Sequence, residues 1–102
     1  MIEKSKYKRQ IDYLFEAIMS LESAEEFYKF FDDLCTISEV EEMSKRLHAA
    51  KMLKNGDIYS TISEITGLST TTITRVNKCL KYGSDGYKIA LERLNNKPEE
   101  TL

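Results

Sequence analysis

Between Tyr59 and Lys78 the chain reads YSTISEITGLSTTTITRVNK, and one glycine, Gly67, divides two stretches of helical apolar spacing. Few folds accept that combination. Glycine enters the left-handed region at little steric cost, so Gly67 predicts a sharp stop for the first helix. Ser69 then offers a hydroxyl to the orphan N–H groups of a second helix, expected from about Thr70 to Leu80. Ile62, Ile65, Leu68, Ile73 and Val76 are expected to face one another and the core across the pair and its turn. Thr71, Thr72, Thr74, Arg75 and Lys78 then point outward, with Asn77 near the edge. No acidic side chain interrupts this row, and its hydroxyls and cations can bond phosphates and base edges in a major groove. The pattern is that of a helix-turn-helix over residues 57–80. A plain helical hairpin also uses a glycine. However, Ser69, Thr70, Thr71 and Thr72 are four hydroxylated residues in a row, and β-branched Thr is a mediocre helix former.

Charge is distributed to match. The 102 residues carry a net charge of −2, yet residues 1–44 sum to −6, residues 45–84 to +5 and residues 85–102 to −1. The positive block holds the helix-turn-helix. An acidic body behind a basic head orients a protein on the phosphate backbone while limiting nonspecific adhesion.

One proline, four glycines and no strand-like alternation predict an all-α chain of about six helices. The first is expected from about Lys4 to Ser20, with Tyr7, Ile11, Leu14, Phe15, Ile18 and Met19 as one buried stripe and basic first turns. Ser23 and Glu26 form a capping box for a second helix to about Leu34, whose Phe27, Phe30 and Phe31 imply deep burial. Ser38 and Glu41 suggest another box, opening a third helix through Met43, Leu47, Ala50 and Leu53 to Asn55 and Gly56. Asp57 is the expected N-cap of the helix-turn-helix, and Tyr82 and Gly83 its close. A last helix, Asp85 to Asn95, carries Tyr87, Ile89, Ala90, Leu91 and Leu94 and must pack on something; residues 96–102 are expected to fray.

Linkers of two to four residues favour a single domain, residues 1–102, and a chain of this length is better stabilised if some apolar surface is buried against a second copy. No apolar run is long enough for a membrane span or a signal sequence, so a soluble, cytoplasmic protein is expected. Cys35 and Cys79 lack metal-ligand spacing and read as free buried thiols. His48 reads as a surface or boundary residue, Met43 and Met52 as core filler. Glu39, Glu41 and Glu42 complement a helix N-terminus without a metal. No cofactor is implied.

Two segments carry a family resemblance. TTTITR, Thr70 to Arg75, resembles the ATITR that opens the reading helix of the Trp repressor. KRLHAAKMLKNG, Lys45 to Gly56, looks like that repressor's helix ending in a short charged run and glycine. The two are separated almost as in the family, with one residue fewer here across the first helix of the pair and its turn. From about Cys35 to Leu94 the chain therefore resembles the Trp repressor superfamily, in its YerC/YecD branch. The resemblance implies an intertwined all-helical homodimer in which N-terminal helices wrap the partner. It also implies a transcriptional regulator of double-stranded DNA, a repressor of a metabolic operon. Two reading helices roughly 34 Å apart would meet successive major grooves, a geometry that the Trp repressor itself helped to define.

On that basis Ser60, Thr61, Ser69, Thr70, Thr71, Thr72, Thr74, Arg75 and Lys78 are the expected DNA-binding residues. The family's ligand-sandwiching arginines fall on Arg46 and Arg75, and its ligand-side threonine on Thr36. Its ammonium-binding serine becomes Cys79, and the glycine beside the indole becomes Val76. Tryptophan is therefore not the expected effector; another small molecule, or none, stays open. Two rival readings are a protein-interaction module with a repurposed helix-turn-helix, and a small helical enzyme of the chorismate mutase kind. The enzyme would have to gather Arg46, Lys45 and Arg9 into one bundle.

Overall fold

Caps and turn residues set the element boundaries in the structure, a computed structural model that describes residues 1–96. After a 3-10 turn at Ile2–Lys4 come six α-helices: α1 Lys8–Met19, α2 Ala24–Leu34, α3 Ile37–Lys54, α4 Tyr59–Thr66, α5 Thr70–Tyr82 and α6 Gly86–Asn95. The described residues contain no strand, and the fold is all-α. The fraying expected of residues 96–102 falls, beyond Asn96, outside the described residues.

Met1–Ile37 form one compact unit. The first helix is shorter than its apolar stripe predicts, because Ser5 takes an extended conformation and divides the 3-10 turn from α1. Ser23 caps α2 by accepting from Glu26 N–H at 3.2 Å, while the Glu26 carboxylate accepts from Glu22 N–H at 2.8 Å. The expected capping box therefore closes one residue early on its return side. Phe27 stacks on Phe31 at 6.4 Å, and Phe30 meets Phe31 edge-on at 5.6 Å. Deep burial of the three phenylalanines does not follow. No residue of α1 or α2 is buried in the single chain, and Phe27 remains 40% exposed. The apolar residues of two amphipathic helices have too little surface of their own to cover them.

The second unit begins at Ser38. Here α3 starts at Ile37, one residue before the expected cap, so Ser38 lies inside the first turn. Thr36 stands directly ahead of the helix with Glu39 three residues on, a second T-x-x-E spacing that competes with Ser38 and Glu41. At its far end Gly56, at φ +86°, donates to the Leu53 carbonyl and Asp57 N–H to the Met52 carbonyl. This is a Schellman closure. It uses Asp57 as a C-terminal donor, which corrects its expected role; Ile58 occupies the N-cap of α4 with no side-chain bond.

Ala49, Ala50, Met52, Ile62, Leu68, Ile73, Val76 and Leu91 make the core, with Leu53, Tyr59, Leu80 and Tyr87 packed against it. Ala49 and Ala50 on α3 are both fully buried, and α5 packs against both α4 and α6. Met43, expected as filler, is instead 41% exposed, whereas Met52 is buried. His48 is half-buried, as a boundary residue should be.

Candidate nucleic-acid interface

Four hydroxyls hold the turn between α4 and α5. Gly67 sits at φ +76° and donates to the Ser63 carbonyl at 2.8 Å. The Ser63 hydroxyl donates to the Leu68 carbonyl at 2.8 Å, spanning the turn. Thr66 is buried; its Oγ1 donates to the Ile62 carbonyl at 2.7 Å and accepts from Leu68 N–H at 3.2 Å. Ser69 caps α5 as expected, accepting from Thr72 N–H at 3.2 Å, and its hydroxyl donates to Thr72 Oγ1 at 3.1 Å. With Ile62, Leu68, Ile73 and Val76 buried beneath, the angle between the helices is fixed by packing and by bonds together.

One inner-face expectation fails. Ile65 is 60% exposed, and Thr66 takes its place. At about 100° per residue, Thr66 lies roughly 40° from Ile62 around α4, and Ile65 roughly 60° to the other side. Apolar character alone favoured the wrong neighbour. The signal that sequence reasoning missed is the position of Thr66 beside the turn, where a hydroxyl can satisfy backbone groups that isoleucine would orphan.

Gly67→Ala tests the backbone requirement cleanly, because a Cβ there meets nothing within 4 Å. The cost comes from φ alone, and urea denaturation is expected to show a loss of roughly 1–2 kcal/mol. An unchanged midpoint would mean that the turn relaxes out of the left-handed region. Gly83 acts differently. Its φ is −85°, and a side chain there would collide with the Cys79 carbonyl oxygen.

Thr70, Thr71, Thr74, Arg75, Lys78 and Cys79 are exposed on α5, while Thr72 and Asn77 are half-buried. Ser60 is exposed and Thr61 half-buried at the start of α4. The row contains no carboxylate. Cys79 is thus not the buried thiol expected, and Cys35, which ends α2, is only half-buried. The effector candidates are scattered in sequence: Thr36 lies in the first unit, Arg46 on α3, and Arg75 and Cys79 on α5. An open groove of about 570 Å³ is lined by Lys54, Leu80, Lys81, Tyr82, Lys88 and Glu92 and includes none of them. Val76, where the resemblance places a ligand-side glycine, is fully committed to the core.

The family model of the Trp repressor protein matches residues 9–95. The chain belongs to the Trp repressor family. Among its relatives is the uncharacterized protein YerC of Bacillus subtilis (strain 168), 47% identical over 93 residues that cover 91% of this chain and 89% of YerC. A crystal structure from Staphylococcus aureus, described as that of a candidate Trp repressor, is 43% identical with a TM-score of 0.82, covering 94% of this chain and all of that one. A TrpR-like protein from Eubacterium eligens ATCC 27750 is 45% identical, also at 0.82, covering 95% and 97%. The Trp repressor family is one of DNA-binding regulators.

Proposed function

We propose that the protein is a homodimeric, sequence-specific transcriptional regulator that represses a metabolic operon by occluding its promoter. The observation that carries this reading is the rigid turn supporting α5, whose solvent face presents Thr70, Thr71, Thr74, Arg75 and Lys78 without an acidic side chain. Thr71, Thr72, Thr74 and Lys78 meet base edges or phosphates, with Ser69, Thr70 and Arg75 alongside, and Ser60 and Thr61 touch the backbone. The +5 charge of residues 45–84 supplies the sequence-independent attraction.

Residues 1–36 serve as the dimerisation element within a single DNA-binding domain. Ile11, Leu14, Ile18, Phe30 and Phe31 are half-buried, with Phe15, Phe27 and Leu34 still more exposed, which supports a partner chain as their cover. No described helix is long and apolar enough to cross a membrane, in keeping with a cytoplasmic regulator. If an effector acts, Thr36, Arg46, Arg75 and Cys79 are its candidate contacts. Tryptophan is not the expected effector, because Val76 is buried where the resemblance places a glycine and a thiol accepts poorly from an ammonium.

Selection from random duplexes at two salt concentrations, with and without a pool of free amino acids, tests the reading. A palindromic motif with steep salt dependence supports it, and a gain with one amino acid names the effector. Recovery of no motif would favour a protein-interaction module instead. Lys78→Ala is expected to weaken every duplex alike and to lower the slope of log affinity against log salt by roughly 0.9 per subunit. An unchanged slope would remove Lys78 from the phosphate contacts.

A further inference from the structure

Thr74 is constrained in a way that Thr72, two residues before it on α5, is not. Its Oγ1 donates to the Thr70 carbonyl oxygen at 2.8 Å. A hydroxyl carries a single hydrogen, and a carbonyl returns none. While that bond is kept its donor is engaged, and Thr74 presents oxygen lone pairs and a methyl group to whatever approaches the exposed face of α5. Thr72 Oγ1 instead accepts from the Ser69 hydroxyl and keeps its own hydrogen to donate.

Resting on the reading of α5 as the DNA-contacting helix, we propose that Thr74 selects an A·T base pair at its position in the operator. Phosphate oxygens only accept, so they engage the Thr74 hydroxyl only by breaking that bond. In the major groove the adenine N6 amine donates, and the thymine C5 methyl, beyond O4 on the same groove edge, offers an apolar contact; a G·C pair supplies the cytosine N4 donor but no methyl. An A·T pair alone answers both the lone pair and the methyl of Thr74. The helix's own hydrogen bond thus turns a side chain of mixed polarity into an acceptor with a defined preference.

The test uses the full-length protein and its selected operator. At each A·T pair in turn, purine replaces adenine, removing the amine, or uracil replaces thymine, removing the methyl. At one pair in each half-site the parent is expected to lose about fivefold in affinity on either replacement. Thr74→Val keeps the shape and the methyl but lacks the oxygen, so it should ignore the loss of the amine and still respond to the loss of the methyl. Thr74→Ser should do the reverse, which separates the effect from any general loss of folding. Uniform weakening of Thr74→Val on all duplexes, with the parent's base penalties intact, would overturn the assignment by placing Thr74 on a phosphate. A parent with no responsive A·T pair, or a Thr74→Val variant identical to it throughout, would overturn it too. A parent that binds no duplex selectively would refute α5 as a reading helix, and the role of Thr74 with it.

Discussion

Phe27→Asp is expected to yield a folded monomer that binds operator DNA more weakly by a factor on the order of 10²–10⁴, the advantage lost when two tethered sites become one. Phe27 lies on the apolar face of α2 and stacks on Phe31, yet it is 40% exposed in the single chain. A carboxylate at such a position still reaches water, so the chain itself tolerates it. Buried and unpaired between two copies of that face, the same carboxylate costs several kcal/mol. Two reading helices would no longer be held one helical turn apart, and each would engage a half-site alone. Sedimentation reports the mass and a titration the affinity. A dimer of parental affinity would place the interface elsewhere than on α2.

Ile73→Ala is expected to remove about 2–5 kcal/mol of stability, the range for truncating an aliphatic side chain in a packed core. Ile73 and Ile62 are the largest side chains with no exposure at all, and both lie beneath the turn. The cavity would sit between α4 and α5, the helices whose relative angle presents the outward row. Operator affinity should therefore fall along with the melting temperature, the latter by on the order of 10 °C or more. Urea unfolding followed by circular dichroism checks the value. A loss below about 1 kcal/mol would mean that the surrounding residues collapse to fill the space.

The helix-turn-helix was legible because its signals are local. Gly67 needs no distant partner to favour a left-handed turn, and the hydroxyl of Ser69 needs only the N–H three residues on. The same holds for Gly56 and for Ser23, each of which acts on backbone within one turn of itself. Ambiguity arose where two local solutions compete. Two overlapping spacings flank the start of α3, and Asp57 suits the N-cap of α4 on paper; in the structure it closes α3, and Ile58, one residue on, takes the N-cap.

Burial was less legible, because it depends on what lies across from a side chain. The apolar spacing of α4 admits either Ile65 or Thr66 toward the core, and only the position of α5 and the backbone of the turn decide for Thr66. Cys79 has the composition of a buried residue, but its place around α5 turns it to solvent. The apolar stripes of α1 and α2 are real in the sequence, and the single chain leaves them half-covered.

From the sequence alone came the all-α character, the helix-turn-helix, its turn and cap, the basic block around it and the family resemblance, since each rests on the period of a helix or on bonds within a few residues. The tertiary structure decided which side chains are buried and how much apolar surface the N-terminal helices leave uncovered, because those depend on packing between residues far apart in the chain.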